Sequence, residues 1–377
     1  MTSAVLIVLG LVAFAGGIVV FAVRRSLRLV ATVLLAFGAL AAVSGWLLPV
    51  ATRADALKTG GLAAGSVVAL YALWLNDRRR HVDEERQTLE RERQALEGAR
   101  AEHDRERAAD ERFLKSVELL GHDADQVRVG ALHALAGLAR GRPSYTQDVL
   151  DVICSYLRRP FDHHEYVEAR GDGATLADDR AAADRWRQVR LTAQRLVADL
   201  LPVVGTPDAP AYHLDLTGAA LEYCDLSYRV IGTLRARALK LYQSNGFHHC
   251  EIRGSAWFTA SESWGRFFVH DVEFHQRSWF SQFTAHSIVD FNRAVFRGDS
   301  KFAGGTYHGQ TCFEDATFDR NVDFSNTTFH DALDLRVAGG ALTGRTHAMR
   351  VSLRHENHLP PGWVVDTSTG DMGLIRA

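Results

Sequence analysis

The sequence predicts a multi-domain protein in which transmembrane α-helices, a charged helix and a small helical module precede a β-solenoid. Residues 1–75 are almost purely apolar, whereas residues 76–112 are almost purely charged. Between residues 236 and 335 an apolar side chain, most often phenylalanine, recurs at alternating intervals of five and six. Because each turn of a solenoid returns one side chain to the same interior corner, this spacing predicts stacked β-rungs.

Three apolar runs open the chain and predict transmembrane helices at about residues 4–23, 29–50 and 59–75. The first two have the roughly 20 residues that cross about 30 Å of hydrocarbon, and the third is near the short end of the range. No basic residue precedes the first run, which is not typical of a secretory signal peptide. We therefore expect residues 1–76 to form a membrane domain that contacts the lipid bilayer.

Basic residues between the apolar runs predict the orientation of this domain. The first loop contains Arg24, Arg25 and Arg28, and the third run is followed by Arg78, Arg79 and Arg80. The second loop has only two basic residues, Arg53 and Lys58. Because positively charged loops stay in the cytoplasm, we expect the N-terminus outside the plasma membrane and all residues after 76 in the cytoplasm. Tyr71 and Trp74 would then form an aromatic belt at the inner face.

Gly61 and Gly65 form a small-xxx-small pair within the third apolar run. Such a pair lets two membrane helices approach closely. The sequence leaves two interpretations open, which are self-association of the protein through this helix and packing within one monomer.

Residues 77–112 are predicted to form a charged helical stalk. They contain twelve acidic residues and ten arginines, whose i,i+4 pairing favours a solvated helix. Val82, Leu89 and Leu96 are spaced by seven, but the second apolar position of a heptad is filled by Glu85, Glu92 and Ala99. A two-stranded coiled coil is therefore only weakly indicated.

Residues 113–208 are predicted to form a helical module. One helix ends near Leu120, and a second is capped by Asp123 or Asp125 and ends at Gly141. A third helix starts at Pro143, and a fourth covers about 183–201 after a polar gap at 171–179. Two such helices joined by short turns resemble one hairpin of the HEAT type.

The solenoid prediction depends on a ladder of inward residues. The ladder has smaller residues at Ala236, Ser263 and Ala285. Its other members are Leu241, Phe247, Ile252, Phe258, Val269, Phe274, Phe280, Phe291, Phe296, Phe302, Tyr307, Phe313, Phe318, Phe324, Phe329 and Leu335. Small residues two positions earlier, such as Ala294 and Gly305, would leave room for the rings. Four inward corners at intervals of five and six predict a four-sided rung.

Charged residues indicate the length of one rung. Since neighbouring rungs lie about 4.8 Å apart, like charges stacked between them are unfavourable. A spacing of 22 repeatedly opposes unlike charges: Arg229 with Glu251, Lys240 with Glu262, Asp271 with Arg293, Arg277 with Asp299, Arg293 with Asp315, Arg297 with Asp319, Lys301 with Asp323, and Glu314 with Arg336. Only Glu251 and Glu273 form a like pair. Spacings of 11 and 20 give no such excess, so a rung length of 22 is predicted.

The inward ring with a small residue two positions earlier resembles the pentapeptide-repeat family. Its motifs stand here as Arg293-Ala294-Val295-Phe296, Asp315-Ala316-Thr317-Phe318 and Leu214-Asp215-Leu216-Thr217-Gly218. The order of segments resembles actinobacterial membrane-anchored pentapeptide-repeat proteins over about residues 110–335. This resemblance implies a right-handed four-sided β-helix over residues 209–336. The chain departs from the pattern at 243–246 and 261–265, where we expect bulged rungs, and keeps the strict interval of five before Leu241. Residues 337–377 are expected to be a C-terminal cap or tail.

Two short segments carry metal-type ligands, and neither predicts a metal site. Residues 162–165 read Asp-His-His-Glu and are expected to be a surface loop. His248 and His249 precede Cys250, but adjacent side chains of a strand point apart. The four cysteines lack CxxC spacing and suit free thiols in a reducing compartment. We predict no catalytic, cofactor-binding or metal-ligating residues, and no enzyme activity.

The sequence favours a membrane-anchored cytoplasmic scaffold that presents a rigid solenoid to a protein partner it does not identify. Some pentapeptide-repeat proteins imitate DNA and bind a topoisomerase, which is the first alternative. Residues 212–335 contain fifteen acidic and eleven basic residues, far from the charge density of a duplex, so no nucleic-acid partner is expected. A β-helix enzyme acting on carbohydrate is the second alternative, and it lacks the expected acidic cleft.

Overall fold

The computed structural model describes residues 2–23, 27–171, 180–340, 342–368 and 370–376, with residues 2 and 77–88 described by their backbone alone. The chain forms two compact units, Met1–Arg105 and Glu106–Ala377.

The first unit contains three helices that are long and apolar enough to cross a membrane, over Ser3–Val23, Arg28–Leu47 and Arg53–Asn76. The helices themselves are α1 (Thr2–Val23), α2 (Arg28–Leu47) and α3 (Arg53–Leu120). The second span ends before the predicted residue 50, as expected for a helix that approaches Pro49. The third starts before residue 59 because the Thr52 hydroxyl accepts a hydrogen bond from the Asp55 amide at 3.3 Å. The predicted stalk lies entirely within α3.

Glycines let the first two helices of this unit pack closely. A Cβ atom at Gly10 would collide with the backbone of Ala42, and one at Gly38 would lie 2.6 Å from the Phe14 nitrogen. Gly61 and Gly65 differ, because an added Cβ at either position would meet nothing within 4 Å. This pair therefore makes no close packing contact with the described residues of the monomer.

The described residues of the second unit form four further α-helices and one 3-10 turn. They are α4 (Asp125–Gly141), a 3-10 turn (Pro143–Tyr145), α5 (Thr146–Leu157), α6 (His164–Arg170) and α7 (Arg180–Leu200). Their buried faces include Leu132, Leu135, Ile153, Val189 and Leu196. The predicted aspartate cap of α4 is wrong, since Ala124 is the N-cap and no side chain caps the helix. Most of the predicted polar gap, residues 172–179, lies outside the described residues.

Four sheets built mainly from short parallel strands form the solenoid. Sheet 1 contains Leu214–Asp215, Leu234–Arg235, Ala256–Trp257, Ser278–Trp279, Ser300–Lys301, Val322–Asp323 and Gly344–Arg345. Sheet 2 contains Asn245–Gly246, Phe267–Phe268, Val289–Asp290, Thr311–Cys312 and Leu333–Asp334. Sheet 3 contains Val230–Ile231, Glu251–Ile252, Glu273–Phe274, Val295–Phe296 and Thr317–Phe318. Sheet 4 contains Ala220–Glu222, Lys240–Tyr242, Glu262–Ser263, Thr284–Ala285, Thr306–Tyr307, Thr328–Phe329, Arg350–Ser352, Met372–Arg376 and Val364–Asp366.

Strand register confirms the predicted rung length. Phe267 pairs with Val289, and Val289 pairs with Thr311, both at a spacing of 22. The first rung is shorter, because Leu214 pairs with Leu234 at a spacing of 20, as the early interval of five predicts. The spacing between paired strands then rises to 21 at Val230 and Glu251, and to 22 at Leu234 and Ala256. The bulge expected at 261–265 is absent, since Lys240, Glu262 and Thr284 pair at a regular 22.

Stacked rings fill the interior. Phe258, Phe280, Phe302 and Phe324 form one column with centroids 4.9–5.2 Å apart. The small ladder residue Ala285 is compensated by Phe283, which is fully buried two positions earlier. At this corner the ring stands two positions before the ladder residue and the small side chain at the ladder position, the reverse of the usual order, so the interior stays filled. The ladder is confirmed as core except at Phe318, which is only partly buried.

Three of the eight predicted inter-rung charge pairs form ion pairs. They are Asp271 with Arg293 at 2.6 Å, Arg297 with Asp319 at 3.1 Å, and Glu314 with Arg336 at 3.0 Å. The like pair Glu251 and Glu273 is in register, and each carboxylate approaches His275 at 3.4 and 3.7 Å. The remaining predicted pairs are not within ion-pair distance in the described chain.

The strand ladder continues beyond residue 336. Val322 pairs with Gly344 and Thr328 with Arg350, both at the same spacing of 22. The antiparallel strands Met372–Arg376 and Val364–Asp366 then cover the edge of Arg350–Ser352. Pairing of this kind leaves fewer exposed edge groups at that end of sheet 4.

Candidate functional site

Two tryptophans lie next to each other on the outside of sheet 1. Trp257 and Trp279 are in register, with ring centroids 6.4 Å apart, and both are half-buried. The guanidinium groups of Arg235 and Arg237 lie 6.0 and 5.7 Å from the Trp257 ring. The Trp257 indole nitrogen is buried and has no hydrogen-bond partner among the residues that the structure describes. We call Arg235, Arg237, Trp257 and Trp279 the tryptophan face.

A second outer feature is a column of stacked rings along sheet 4. It starts in the helical module with the buried Tyr166 and passes through Tyr242 and Trp264. It continues as His286, His308 and His330, with centroids 5.3, 5.2 and 4.8 Å from the preceding ring. We call these three exposed residues the histidine column. Burial, and then His330 and His286, lower the pKa of His308.

Three other histidines converge at one edge of the solenoid, and we call His248, His249 and His270 the histidine cluster. One ring nitrogen from each lies within 4.8 Å of those of the other two. The Nδ1 atoms of His248 and His249 are 3.1 Å apart. The rings of His248 and His270 are stacked at 4.8 Å with an interplanar angle of 3°. All three residues are partly exposed, so an ion can reach them from solvent.

The prediction that His248 and His249 point apart is wrong. His249 has φ of 57°, which is the left-handed conformation of a turn, so strand alternation does not apply to it. The Tyr228 ring stacks on the His249 ring at 4.6 Å and fixes it there. Cys250 is not part of the group, because it is buried and its thiol donates to the Leu226 carbonyl at 2.8 Å.

Carboxylates surround the histidine cluster. Asp271 Oδ2 lies 3.6 Å from His249 Nε2, and Asp290 Oδ2 lies 3.2 Å from His270 Nδ1. Hydrogen bonds from Arg293 hold the pKa of Asp271 below its usual range, so this carboxyl stays ionised at neutral pH. Burial, and then the neighbouring His270, lower the pKa of His248. The His248 imidazole is therefore readily neutral, with a free electron pair on one ring nitrogen.

The predicted surface loop at 162–165 is wrong in part, because α6 starts at His164 and His163 is its buried N-cap, whereas Asp162 is exposed. His163 is fully buried, its Nε2 lies 2.9 Å from Asp184 Oδ1, and its Nδ1 accepts from the Glu165 amide. His164 and Asp184 lie near it and complete a second group of metal-type ligands. Both nitrogens of His163 are already used, so this group is explained as a helix cap.

A buried polar network joins α6 and α7 to the first rungs. Arg187 binds both oxygens of Glu222 at 2.6 Å, and the Tyr166 hydroxyl donates to Glu222 at 2.8 Å. Arg190 donates to the carbonyls of Leu157 and Ala220, and burial lowers its pKa to about 10. Apart from the buried Arg190 Nε, which lacks a partner among the described residues, these polar groups are paired, which suits a structural joint.

The cysteine thiols are poor nucleophiles. Burial raises the pKa of Cys154, Cys224 and Cys250 to about 12 each, and that of Cys312 to about 11. Since the thiolate is the reactive form, these residues are inert at neutral pH.

Comparison with known proteins supports the repeat assignment for part of the solenoid. Residues 291–338 match the family described as pentapeptide repeats (9 copies). No curated protein and no solved structure matches the chain. The match covers the most regular rungs, and this segment is similar to pentapeptide repeats.

Proposed function

We propose that the protein is a membrane-anchored cytoplasmic scaffold, without catalytic activity, whose solenoid binds a protein partner through the tryptophan face. The observation that carries the proposal is the pair Trp257 and Trp279, flanked by arginines and partly exposed on the outside of sheet 1. Tryptophan and arginine dominate the binding energy of protein interfaces.

A shallow cavity of about 410 Å³ extends the tryptophan face along sheet 1. Trp279, Lys301, Asp323 and Arg345 contribute to its lining. This combination of one ring with charges of both signs suits a partner segment that has an apolar anchor and a polar rim.

We further propose that the solenoid is right-handed and four-sided, and that the chain is one of the membrane-anchored pentapeptide-repeat proteins of actinobacteria. The four sheets, each joined by strands one rung apart, support the four-sided form. The proposed division is a membrane domain (1–76), a charged stalk (77–112), a helical module (113–208), the repeat region from 209 and a C-terminal cap.

The proposed topology places the N-terminus outside the plasma membrane. The contact between the Arg28 guanidinium and the Trp74 ring, at 4.7 Å, supports three successive crossings, because the first loop and the end of the third span then lie at one side of the helices. The orientation itself depends on the basic residues of the loops. Self-association through the uncovered face of Gly61 and Gly65 stays a prediction. The DNA-mimic alternative is less favoured, since Asp271, Glu314 and Asp319 are neutralised by arginines on neighbouring rungs.

The anchor is tested by fractionating cells that express the full chain or a deletion of residues 1–76. The full chain is expected in the membrane fraction and the deletion in the soluble fraction. Recovery of the folded full chain as a soluble protein would contradict the anchor.

The docking face is tested by proximity labelling in the native cell with the wild type and a Trp257→Ala/Trp279→Ala variant. A partner is expected to be labelled by the wild type, to be lost from the variant, and to bind the purified full chain directly. His308→Ala is the matched control on another sheet and should keep the partner. Equal labelling by the tryptophan variant would show that this face is not the docking surface.

A further inference from the structure

We propose that His248, His249 and His270 form a binding site for a divalent transition-metal cation, which we assign as Zn²⁺. The sequence predicted no metal ligand, and the tryptophan face is on a different sheet, so the inference is independent of the proposed partner. Imidazole nitrogen is a preferred ligand of zinc, copper and nickel.

The spacing of the ring nitrogens fits one ion. Two nitrogens that each bind zinc at about 2.0–2.1 Å in a tetrahedral site are about 3.3 Å apart. The Nδ1 atoms of His248 and His249 are 3.1 Å apart, and a nitrogen of His270 lies within 4.8 Å of both. Small rotations of these rings bring all three nitrogens to one centre.

The outer carboxylates supply a second, independent reason. Histidines that bind zinc usually donate their other ring N–H to a carboxylate, which fixes the tautomer and the orientation of the ring. Asp271 Oδ2 lies 3.6 Å from His249 Nε2, so a small rotation of the ring would let it accept from this nitrogen and leave Nδ1 for the ion. Asp290 approaches His270 Nδ1, a buried nitrogen without a well-aligned hydrogen bond. That contact leaves His270 Nε2 for the ion.

The site would connect two successive rungs. His248 and His270 follow paired strands of sheet 2 and stack on each other, whereas His249 belongs to the turn of the first of these rungs. A metal bound by all three would therefore clamp the two rungs together. Three protein ligands also leave a fourth position, which water or a side chain of another molecule can fill.

Other histidine groups are less suitable. The rings of the histidine column are stacked face to face at 4.8–5.2 Å, and their nitrogens do not form a ligand group in the described chain. In the group around His163, the buried imidazole already uses both of its nitrogens. These two groups therefore provide matched controls.

The test is equilibrium binding of Zn²⁺ to the tag-free full-length protein in detergent, with a competing chelating dye. One ion per chain is expected. His249→Ala and His270→Ala should each weaken binding at least about 100-fold, and Asp290→Asn about tenfold. His286→Ala/His308→Ala and His164→Ala should bind as the wild type does.

Circular dichroism of every variant establishes that it is folded before its affinity is compared. Asp290→Asn preserves size and removes only the carboxylate charge, so it tests the site even where a histidine variant is unstable. Lack of saturable binding by the folded wild type would overturn the proposal. Wild-type affinity in a folded His248→Ala/His249→Ala/His270→Ala variant, or loss of affinity in His164→Ala, would also overturn it.

Discussion

The histidine column and the histidine cluster lie on the same solenoid and recur with the same rung, yet their rings are arranged differently. His286, His308 and His330 occupy equivalent positions directly after strands of sheet 4, so their rings repeat in parallel. His249 occupies a left-handed turn beside His248, and its ring lies at 83° to that neighbour. Histidines at equivalent positions of successive rungs thus stack their rings in parallel, whereas a histidine in the adjacent turn points its ring nitrogen toward theirs.

The surroundings of the two groups differ as well. Asp271 and Asp290 approach the histidine cluster, whereas the histidine column makes no ion pair within the described part of the chain. Convergent nitrogens beside carboxylates suit a cation, whereas parallel stacked rings do not bring their nitrogens to one centre. Residue type and spacing alone do not distinguish these roles.

The largest expected difference between the two groups is in stabilisation by zinc. A ligand at 100 times its dissociation constant adds about 2.7 kcal/mol to the free energy of unfolding, which corresponds to about 5–10 °C in Tm. The wild type and His286→Ala/His308→Ala should show this rise in a thermal melt. A folded His249→Ala/His270→Ala variant should show none, and an equal rise there would place the ion elsewhere.

The turn at His249 provides a second comparison, made without metal. His249→Val and His249→Gly both remove the imidazole, but a β-branched residue is strained at positive φ and glycine is not. We expect the valine variant to be less stable than the glycine variant by about 1–2 kcal/mol in chemical unfolding. The corresponding pair at His286 should show no such preference for glycine. Equal stability of the two His249 variants would contradict the turn conformation.

Stacking in the histidine column is expected to contribute less. His308→Ala removes a ring that stacks on both His286 and His330, and should lower the free energy of unfolding by about 0.5–1 kcal/mol. His308→Phe preserves an aromatic ring and should retain most of that stability. If alanine and phenylalanine were equally stable in urea titrations, the stacked arrangement would contribute nothing.

The smallest expected effect is the pH dependence of the histidine column. Burial and two neighbouring histidines lower the pKa of His308 in the folded chain, so the unfolded chain binds the proton more readily. The free energy of unfolding should therefore fall as the pH drops below about 6.5, the ordinary pKa of histidine. The fall should end once the pH is below the lower pKa of His308 in the folded chain. His308→Phe should reduce this fall between pH 7.5 and 5 in thermal melts. An unchanged slope would contradict the prediction.

Much of the solenoid could be predicted from the sequence because its rungs repeat. The intervals of five and six place the core residues, and opposite charges indicate the rung length even though only some of them form ion pairs. The sequence did not predict that Phe283 fills the interior beside Ala285. There the large side chain stands at the position that is usually small, and the small side chain at the position that is usually large. The short helix α6 was missed because only seven residues form it, and its cap is a buried histidine rather than a serine, threonine or aspartate.

The histidine cluster could not be predicted because its members come from two rungs and one turn. His248 and His249 are adjacent in sequence, but their convergence depends on one positive φ angle. His270 joins them only once the strand register is known. A search for histidines separated by one rung length, beside a predicted turn, would have found the group.

X-ray absorption at the zinc edge of the zinc-loaded, tag-free full-length protein tests most directly whether convergent rings form a metal site. We expect three imidazole nitrogens and one further light ligand at about 2.0–2.1 Å. A sulfur ligand at about 2.3 Å, or a shell of oxygens without imidazole, would contradict it.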